Sequence, residues 1–392
     1  MEFNPIVSIL IPTKDRYEYL TYLVDYFITL ESRDIELVIQ DNSADNSTFI
    51  AYLSTIKDER IVYNYVAEWL CVSDNCDCGV SLCAGEYVTM IGDDDGFLPY
   101  IDKVCQLLKN AKIDALITKN PSYLWPDMVS KQWGSKYSGT VDYSTFTNEV
   151  KIIDAKKLLQ EALKEAGTEI MMLPRIYHGI ISRRCLIKLK EEAGSFFPGA
   201  SPDMANAIGI LKYLDKLVSW DFPVIISGQA ARSVGGMGQR KEHKGKLSSV
   251  SFLPKSTEED WEHEVPKFWS GATIYADSMI KALKATGRTK DSENYNYQFL
   301  YAYLTIYEFS FRETIFSYEL NYIKKYPLTI VKYIYYVAIL FVTRLINYIK
   351  NNIRMVFNIT TYKHTNIHSI TEAIEVLNTQ YNDDRINVLS DC

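Results

Sequence analysis

The sequence has no internal repeat and no low-complexity tract, so a repeat array is excluded at the outset. Positive charge is not in excess: 42 Lys+Arg against 49 Asp+Glu leave a net charge of −7. Bulk attraction to nucleic acid is therefore excluded, and no nucleic-acid partner is expected. The start, Met1-Glu2-Phe3-Asn4-Pro5, lacks the basic-then-apolar pattern of a secretory leader. The seven cysteines are odd in number, which together with the missing leader points to a reducing compartment. A cytoplasmic protein is expected. No run of apolar residues is long enough for a bilayer: Tyr333–Thr343 is free of charge but has only 11 residues, where a span needs about 20.

What is present is an ordinary globular composition, 47% hydrophobic and 23% charged over 392 residues, enough for two or three domains. The first 120 residues alternate between two periodicities. Strands are expected at Ile6–Ile11, Ile35–Ile39, Ile61–Val66, Glu86–Ile91 and Ile113–Thr118. Helical spacing falls between them, over Tyr17–Leu30, from Asn46, from Ser73 or Asp74 to Cys83, and over Tyr100–Asn110. Such alternation predicts βαβ units and an α/β, mainly parallel sheet flanked by helices. Ligands bind such sheets at the carboxyl ends of the strands, which singles out Pro12–Arg16, Asp41–Ser43 and Gly92–Gly96.

From 121 to 250 the pattern is less regular. A helix is expected near Ala155–Ala166, a strand-like stretch at Arg175–Ser182, a helix at Asp203–Leu214 and a strand at Phe222–Ser227. Ser233–Gly245 reads as a mobile Gly-rich loop, and 258–320 as all helical. The expected organisation is a domain over 1–250, in halves 1–120 and 121–250, a helical extension over 251–320, a basic segment over 321–363 and a tail over 364–392.

Gly92-Asp93-Asp94-Asp95-Gly96 closes the fourth strand. Adjacent carboxylates repel, so their grouping calls for a counter-ion. In an extended segment Asp93 and Asp95 face one side, forming a hard-oxygen site for Mg²⁺ or Mn²⁺. The competing account is a solvated acidic turn. Cys71, Cys76, Cys78 and Cys83 lack the paired spacing of a zinc site and read as buried small hydrophobes.

Val7-Ser8-Ile9-Leu10-Ile11-Pro12-Thr13, Glu36-Leu37-Val38-Ile39-Gln40-Asp41-Asn42-Ser43 and Ala84-Gly85-Glu86-Tyr87-Val88 leading into Asp93-Asp94-Asp95 together resemble the family 2 glycosyltransferases. The likeness is strong over about 5–120, weaker to about 245, and nearest to bacterial surface-polysaccharide enzymes for capsule or O-antigen. It implies a GT-A, Rossmann-like fold, a nucleotide-sugar donor (a UDP-sugar first), an Mn²⁺ or Mg²⁺ cofactor, inversion at the anomeric carbon, and hexosyl or N-acetylhexosaminyl transfer. It places Pro12, Thr13, Lys14, Arg16, Asp41, Asn75, Asp93 and Asp94 around the nucleotide, with Asp93 and Asp95 as the metal-binding DxD. Lys14 stands where an aromatic is frequent, and Gln40 replaces a common acid. The general base is expected about 100 residues beyond the DxD, where Asp203 opens a helix, although Asp203 as a helix-start residue only is the plainer account. A helix N-terminus would hold its pKa low. Tyr177, His178 and Trp125 are candidates for the acceptor pocket, Arg232 and Arg240 for a lid over the diphosphate, and His243 for a third metal ligand. A hydrogen-bonded packing His178 and an exposed basic loop are the structural alternatives.

Between Asn321 and Lys363 there are seven basic residues and no acid, leaving −14 on the rest of the chain. A basic, aromatic, amphipathic helix pair suits an anionic membrane surface, with the protein peripheral on the inner face beside an undecaprenyl-linked or other glycan acceptor. A packed hairpin or a homodimer contact is the alternative. Rival functions are a sugar nucleotidyltransferase, whose Gly-rich basic signature is missing after Pro12, and a non-catalytic membrane assembly protein. A dehydrogenase is weaker still, because no G-x-G-x-x-G follows the first strand.

Overall fold

Short apolar runs separated by helices must return to the same sheet, because each parallel crossover needs a helix to cover a face. The computed structural model describes residues 4–170, 172–240, 244–357, 362–381 and 383–391. Its strands are β1 Val7–Thr13, β2 Ile35–Asp41, β3 Ile61–Tyr65, β4 Tyr87–Met90, β5 Gly96–Phe97, β6 Ala115–Thr118 and β7 Ser122–Leu124. They continue with β8 Thr140–Tyr143, β9 Val150–Ile153, β10 Gly179–Ser182, β11 Leu217–Trp220, β12 Ile225–Gln229 and β13 Tyr362–His364. The main sheet has eight strands in the order β3-β2-β1-β4-β10-β6-β11-β9. The first four are parallel, as are β6 and β11, whereas β10 and β9 run antiparallel to their neighbours. A second sheet runs β13-β8-β7-β12-β5.

β2 is buried at every position and β1 at all but Pro12, as strands covered on both faces should be. Leu20, Leu23, Val24 and Phe27 of helix Tyr17–Ile28 fill one face. On the other, Cys76, Val80 and Cys83 meet Leu10 and Val38. The helix of the cysteines begins at Val72, earlier than expected, because the Cys71 thiol accepts from the Asp74 backbone N–H at 3.4 Å and caps it. Burial pushes the Cys83 thiol up to about 12, which suits packing more than reactivity. A Cβ at Gly85 would lie 2.5 Å from the Ser8 nitrogen, so only glycine lets the turn into β4 approach β1.

Three expectations need correction. Ser233–Gly245 contains a short helix, Val234–Gln239, capped by the Ser233 hydroxyl, which accepts from Gly236 N–H at 3.1 Å; glycine content concealed the cap. The basic segment is not a hairpin: after helix Arg312–Lys325 it forms one 29-residue helix, Thr329–Phe357. By length and composition its first 22 residues, Thr329–Lys350, suffice to cross a membrane, because Arg344 alone interrupts the apolar stretch after Lys332. Finally, the residues taken as a tail complete the N-terminal core. Tyr362–His364 pairs with β8, and Ile370, Ala373, Ile374 and Leu377 of helix Ile370–Gln380 are buried against it. Ile370 lies so close to Gly96 that a Cβ there would come within 2.8 Å.

Candidate functional site

The register of β1 on β2 sets Thr13 beside Asp41, and β4 ends one residue before Ile91, whose N–H reaches Leu10 O at 2.9 Å. Three chain segments therefore arrive together at the carboxyl edge of the sheet. Gly92–Asp95 is not extended but a turn, closed by Asp95 N–H to Gly92 O at 3.2 Å. The side chains of Asp93 and Asp95 consequently face different partners. Thr13 donates to Asp93 Oδ2 at 2.7 Å, and the Arg16 guanidinium stands 2.8 Å from Asp93 Oδ1 and 3.8 Å from Asp94 Oδ1. Asp94 Oδ2 accepts from Ala230 N–H at 2.9 Å. Asp95 accepts from Gly92 N–H and Gly228 N–H, both at 2.6 Å, and has His178 Nε2 at 2.6 Å and the Tyr177 hydroxyl at 3.3 Å.

All three carboxylates are buried, which is costly for charged groups. Burial raises the Asp93 carboxyl above its ordinary value, against the pull of Arg16 and Thr13. Burial and then Asp95 push Asp94 up to about 7, again against Arg16. Three carboxyl groups share one arginine here, so the turn favours either protonation or a further cation. Asp93 Oδ1 is buried with no aligned hydrogen-bond donor, an acceptor with coordination capacity to spare. Hard carboxylate oxygens of this kind fit Mg²⁺ or Mn²⁺ in chemistry. Among the described residues no three His, Cys, Asp or Glu side chains converge as a full metal site. A divalent cation held here would have to take most of its shell from phosphates and water, as magnesium usually does. His243 lies outside the described residues.

Asp41 is fully buried and its oxygens are taken: Tyr17 and Tyr63 hydroxyls donate to Oδ2 at 2.6 and 2.7 Å, and Ser43 N–H to Oδ1 at 2.8 Å. Neither tyrosine stood out in the sequence; Tyr17, the first residue of the helix after β1, was the available signal. Lys14 donates to Asn42 Oδ1 at 3.0 Å and lies 5.9 Å from the exposed Trp69 ring. Pro12 sits half-buried at the end of β1. Asn75 accepts from Gln40 at 3.2 Å, and Gln40 in turn from Asn64 at 2.7 Å, a buried ladder joining the helix to β2 and β3. Gln40 thus fills a structural role that its neutral amide allows.

Beside the acidic turn, His178 has φ 61°, a left-handed value that non-glycine residues adopt at a cost. The strain, with Tyr177 stacked 3.9 Å from its ring, aims the imidazole at Asp95. Asp203 is the second residue of helix Pro202–Ile210. Burial raises its carboxyl above the usual range, with Arg175 and His178 pulling the other way and Asp95 adding to the rise. The lowering expected from the helix N-terminus is outweighed. Trp125 is 3% exposed and donates from Nε1 to Asp94 O at 2.8 Å. It positions the acidic turn and cannot line an acceptor pocket from there. Arg232 is exposed and pairs with Glu18 at 2.7 Å, and Arg240 donates to Ala231 O at 2.5 Å. The strand expected at Phe222–Ser227 is β12, but its contact with the acidic turn carried no sequence signal: a Cβ at Gly228 would lie 1.7 Å from Asp94 O, so glycine is required for this strand to grip the turn.

An eight-stranded sheet with the 3-2-1-4 parallel edge and an acidic turn after β4 is the GT-A class of fold. Residues 8–147 match the model of Glycosyl transferase family 2, and the chain carries a domain of that family. It is also similar to the putative colanic acid biosynthesis glycosyl transferase WcaA of Escherichia coli K12, 28% identical over 102 residues. That match covers 25% of this chain, and the chain spans about a third (36%) of the relative's length. Among solved structures, S. aureus TarS 1–349 in complex with UDP-GlcNAc matches at 14% identity and TM-score 0.43, over 59% of this chain and 60% of that one. Its complex with UDP matches at 12% identity and TM-score 0.43, over 76% and 91%.

Proposed function

We propose that this protein moves a hexosyl or N-acetylhexosaminyl group from a nucleotide sugar, a UDP-sugar first, to a glycan or lipid-linked glycan acceptor, with inversion, in bacterial surface-polysaccharide synthesis. The observation that carries the reading is the meeting of Thr13, Arg16, the Asp93–Asp95 turn, Tyr177 and His178 at one sheet edge, with Asp203 near enough for the charges of His178 and Asp95 to act on its carboxyl. The family 2 domain supports it, as does the polysaccharide role in the name of the E. coli relative.

Asp203 is the general base in this reading. A raised pKa makes its carboxylate a stronger proton acceptor for the acceptor hydroxyl as that oxygen attacks the anomeric carbon. His178 and Asp95 hold the floor of the cleft between base and diphosphate. Arg16 and Lys14 supply positive charge to the diphosphate oxygens. Asp93, whose Oδ1 has no aligned donor, would hold a divalent cation, which when bound neutralises charge on the departing nucleoside diphosphate, while Asp95 braces the turn through Gly92, Gly228 and His178. The protein works in the cytoplasm, at the inner membrane face where lipid-linked acceptors are presented.

A thermal-shift panel of UDP, GDP, dTDP and CDP, each with and without Mn²⁺, tests the donor and the cation together, because a ligand that binds the native state raises its melting temperature. A rise with UDP that grows when Mn²⁺ is added is expected. No shift with any nucleotide would overturn the reading.

A further inference from the structure

Helix Thr329–Phe357 is built inside out for a soluble protein. Its narrow inner stripe is polar at the tips. The Tyr333 hydroxyl is 3.2 Å from Thr305 Oγ1, Asn296 donates to the Tyr336 hydroxyl at 3.1 Å, and Arg344 donates to Ile306 O, all on or beside helix Tyr297–Tyr307. Only Leu340 is buried among its residues up to Lys350. The opposite side presents Val331, Ile334, Val342, Leu345 and Ile349, each 49–68% exposed. Lys332 and Lys350, 18 residues apart and thus about five turns on, share the flank between the two faces.

We infer that this helix lies in the plane of an anionic bilayer, aliphatic face inserted and basic flank among the headgroups, and does not cross it. The inference deepens the membrane-face part of the functional reading and rests on it. Both ends of the helix are tied to one folded body: helix Arg312–Lys325 stacks Tyr322 against Tyr301 and Tyr297, and Tyr362–His364 is hydrogen-bonded to β8. From Phe357 to Tyr362 the chain extends at most about 18 Å, whereas a return across the hydrocarbon needs about 30 Å. A second copy of the chain is disfavoured as the occupant of the aliphatic face, because helix Thr329–Phe357 itself carries Lys332, Arg344, Lys350 and Arg354 and no acid to answer a like-charged partner. Anionic lipid answers that charge.

The test is flotation of the full chain with vesicles of phosphatidylcholine alone and of equal parts phosphatidylcholine and phosphatidylglycerol. Binding to the anionic vesicles only is expected. Val331→Asp with Val342→Asp should weaken it roughly tenfold or more, with an unchanged melting temperature, since both sites are exposed. Leu328→Cys and His368→Cys should both react with a membrane-impermeant maleimide added outside the vesicles, above the wild-type background. Labelling at only one of them would show a span and overturn the inference. So would absence of binding to anionic vesicles, or a lipid-free dimer that the double variant dissociates. None of these results would touch nucleotide binding, so a failure here is distinguishable from a failure of the transferase reading.

Discussion

Residues 5–118 and residues 362–391 build the same core by opposite routes. In the first segment β1, β2 and β3 each pair with the next after one helix and β4 returns beside β1, so the packing partners of these strands are close in sequence and the hydrophobic rhythm reveals them. In the second, Ile370 and Ile374 reach Gly96 from more than 270 residues away, with a helical region and the long exposed helix between. Local pattern encodes the first arrangement; only the closed fold encodes the second. The difference also separates function from support. The acidic turn sits at the carboxyl edge of the sheet, while helix Ile370–Gln380 packs against the strand that follows it.

The comparison can be broken most forcefully by removing 364–391. Because these residues complete the N-terminal core, the truncated protein should lose cooperative unfolding altogether, as followed by circular dichroism on heating. Truncation is for the same reason a poor way to test membrane binding. Asp203→Asn should come next: nucleotide binding by thermal shift stays intact while kcat falls about 10²–10⁴-fold, the usual contribution of a positioned base. Ile374→Ala should cost about 2–5 kcal/mol in urea unfolding, the range for truncating a buried isoleucine, since Ile374 is 2% exposed. Ile334→Ala, on the exposed face of the long helix, should change stability by no more than about 0.5 kcal/mol.

A pH profile sharpens the site half of the comparison. Asp203 is faced by Arg175 and His178, which lower its pKa, and by Asp95, which raises it, with burial dominant and the net direction upward; Tyr275 stands near it as a neutral neighbour whose own pKa is also raised by burial. The base works deprotonated, so kcat/KM should fall as pH drops through that raised value. Its acid limb should therefore lie above the ordinary carboxylate range near 4. An acid limb at or below that range would remove Asp203 from the role.

Much of the sheet edge was legible because chemistry and periodicity coincide there: β1, β2 and β4 end at Thr13, Asp41 and Met90, and the residues that follow carry the charge. The turn at Gly92–Asp95 was misjudged as extended, since three aspartates carry no signal for the backbone N–H groups of Gly228 and Ala230 that bend around them. Trp125 illustrates the same limit. An aromatic near a cleft suggests a sugar platform, but its indole is turned inward by a single bond to Asp94 O. The pKa of Asp203 depended on a balance, helix dipole against burial, whose second member exists only in the folded protein.

The central claim is that the Asp93–Asp95 turn receives a nucleotide diphosphate across the cleft from Asp203. A crystal of the full chain soaked with UDP and Mn²⁺ tests it most directly. Density for the diphosphate beside Asp93, with manganese bridging it to the turn and the Asp203 carboxylate facing the open side, is the predicted result. Nucleotide bound elsewhere, with Arg16 still paired to Asp93 and no ion at the turn, would contradict it.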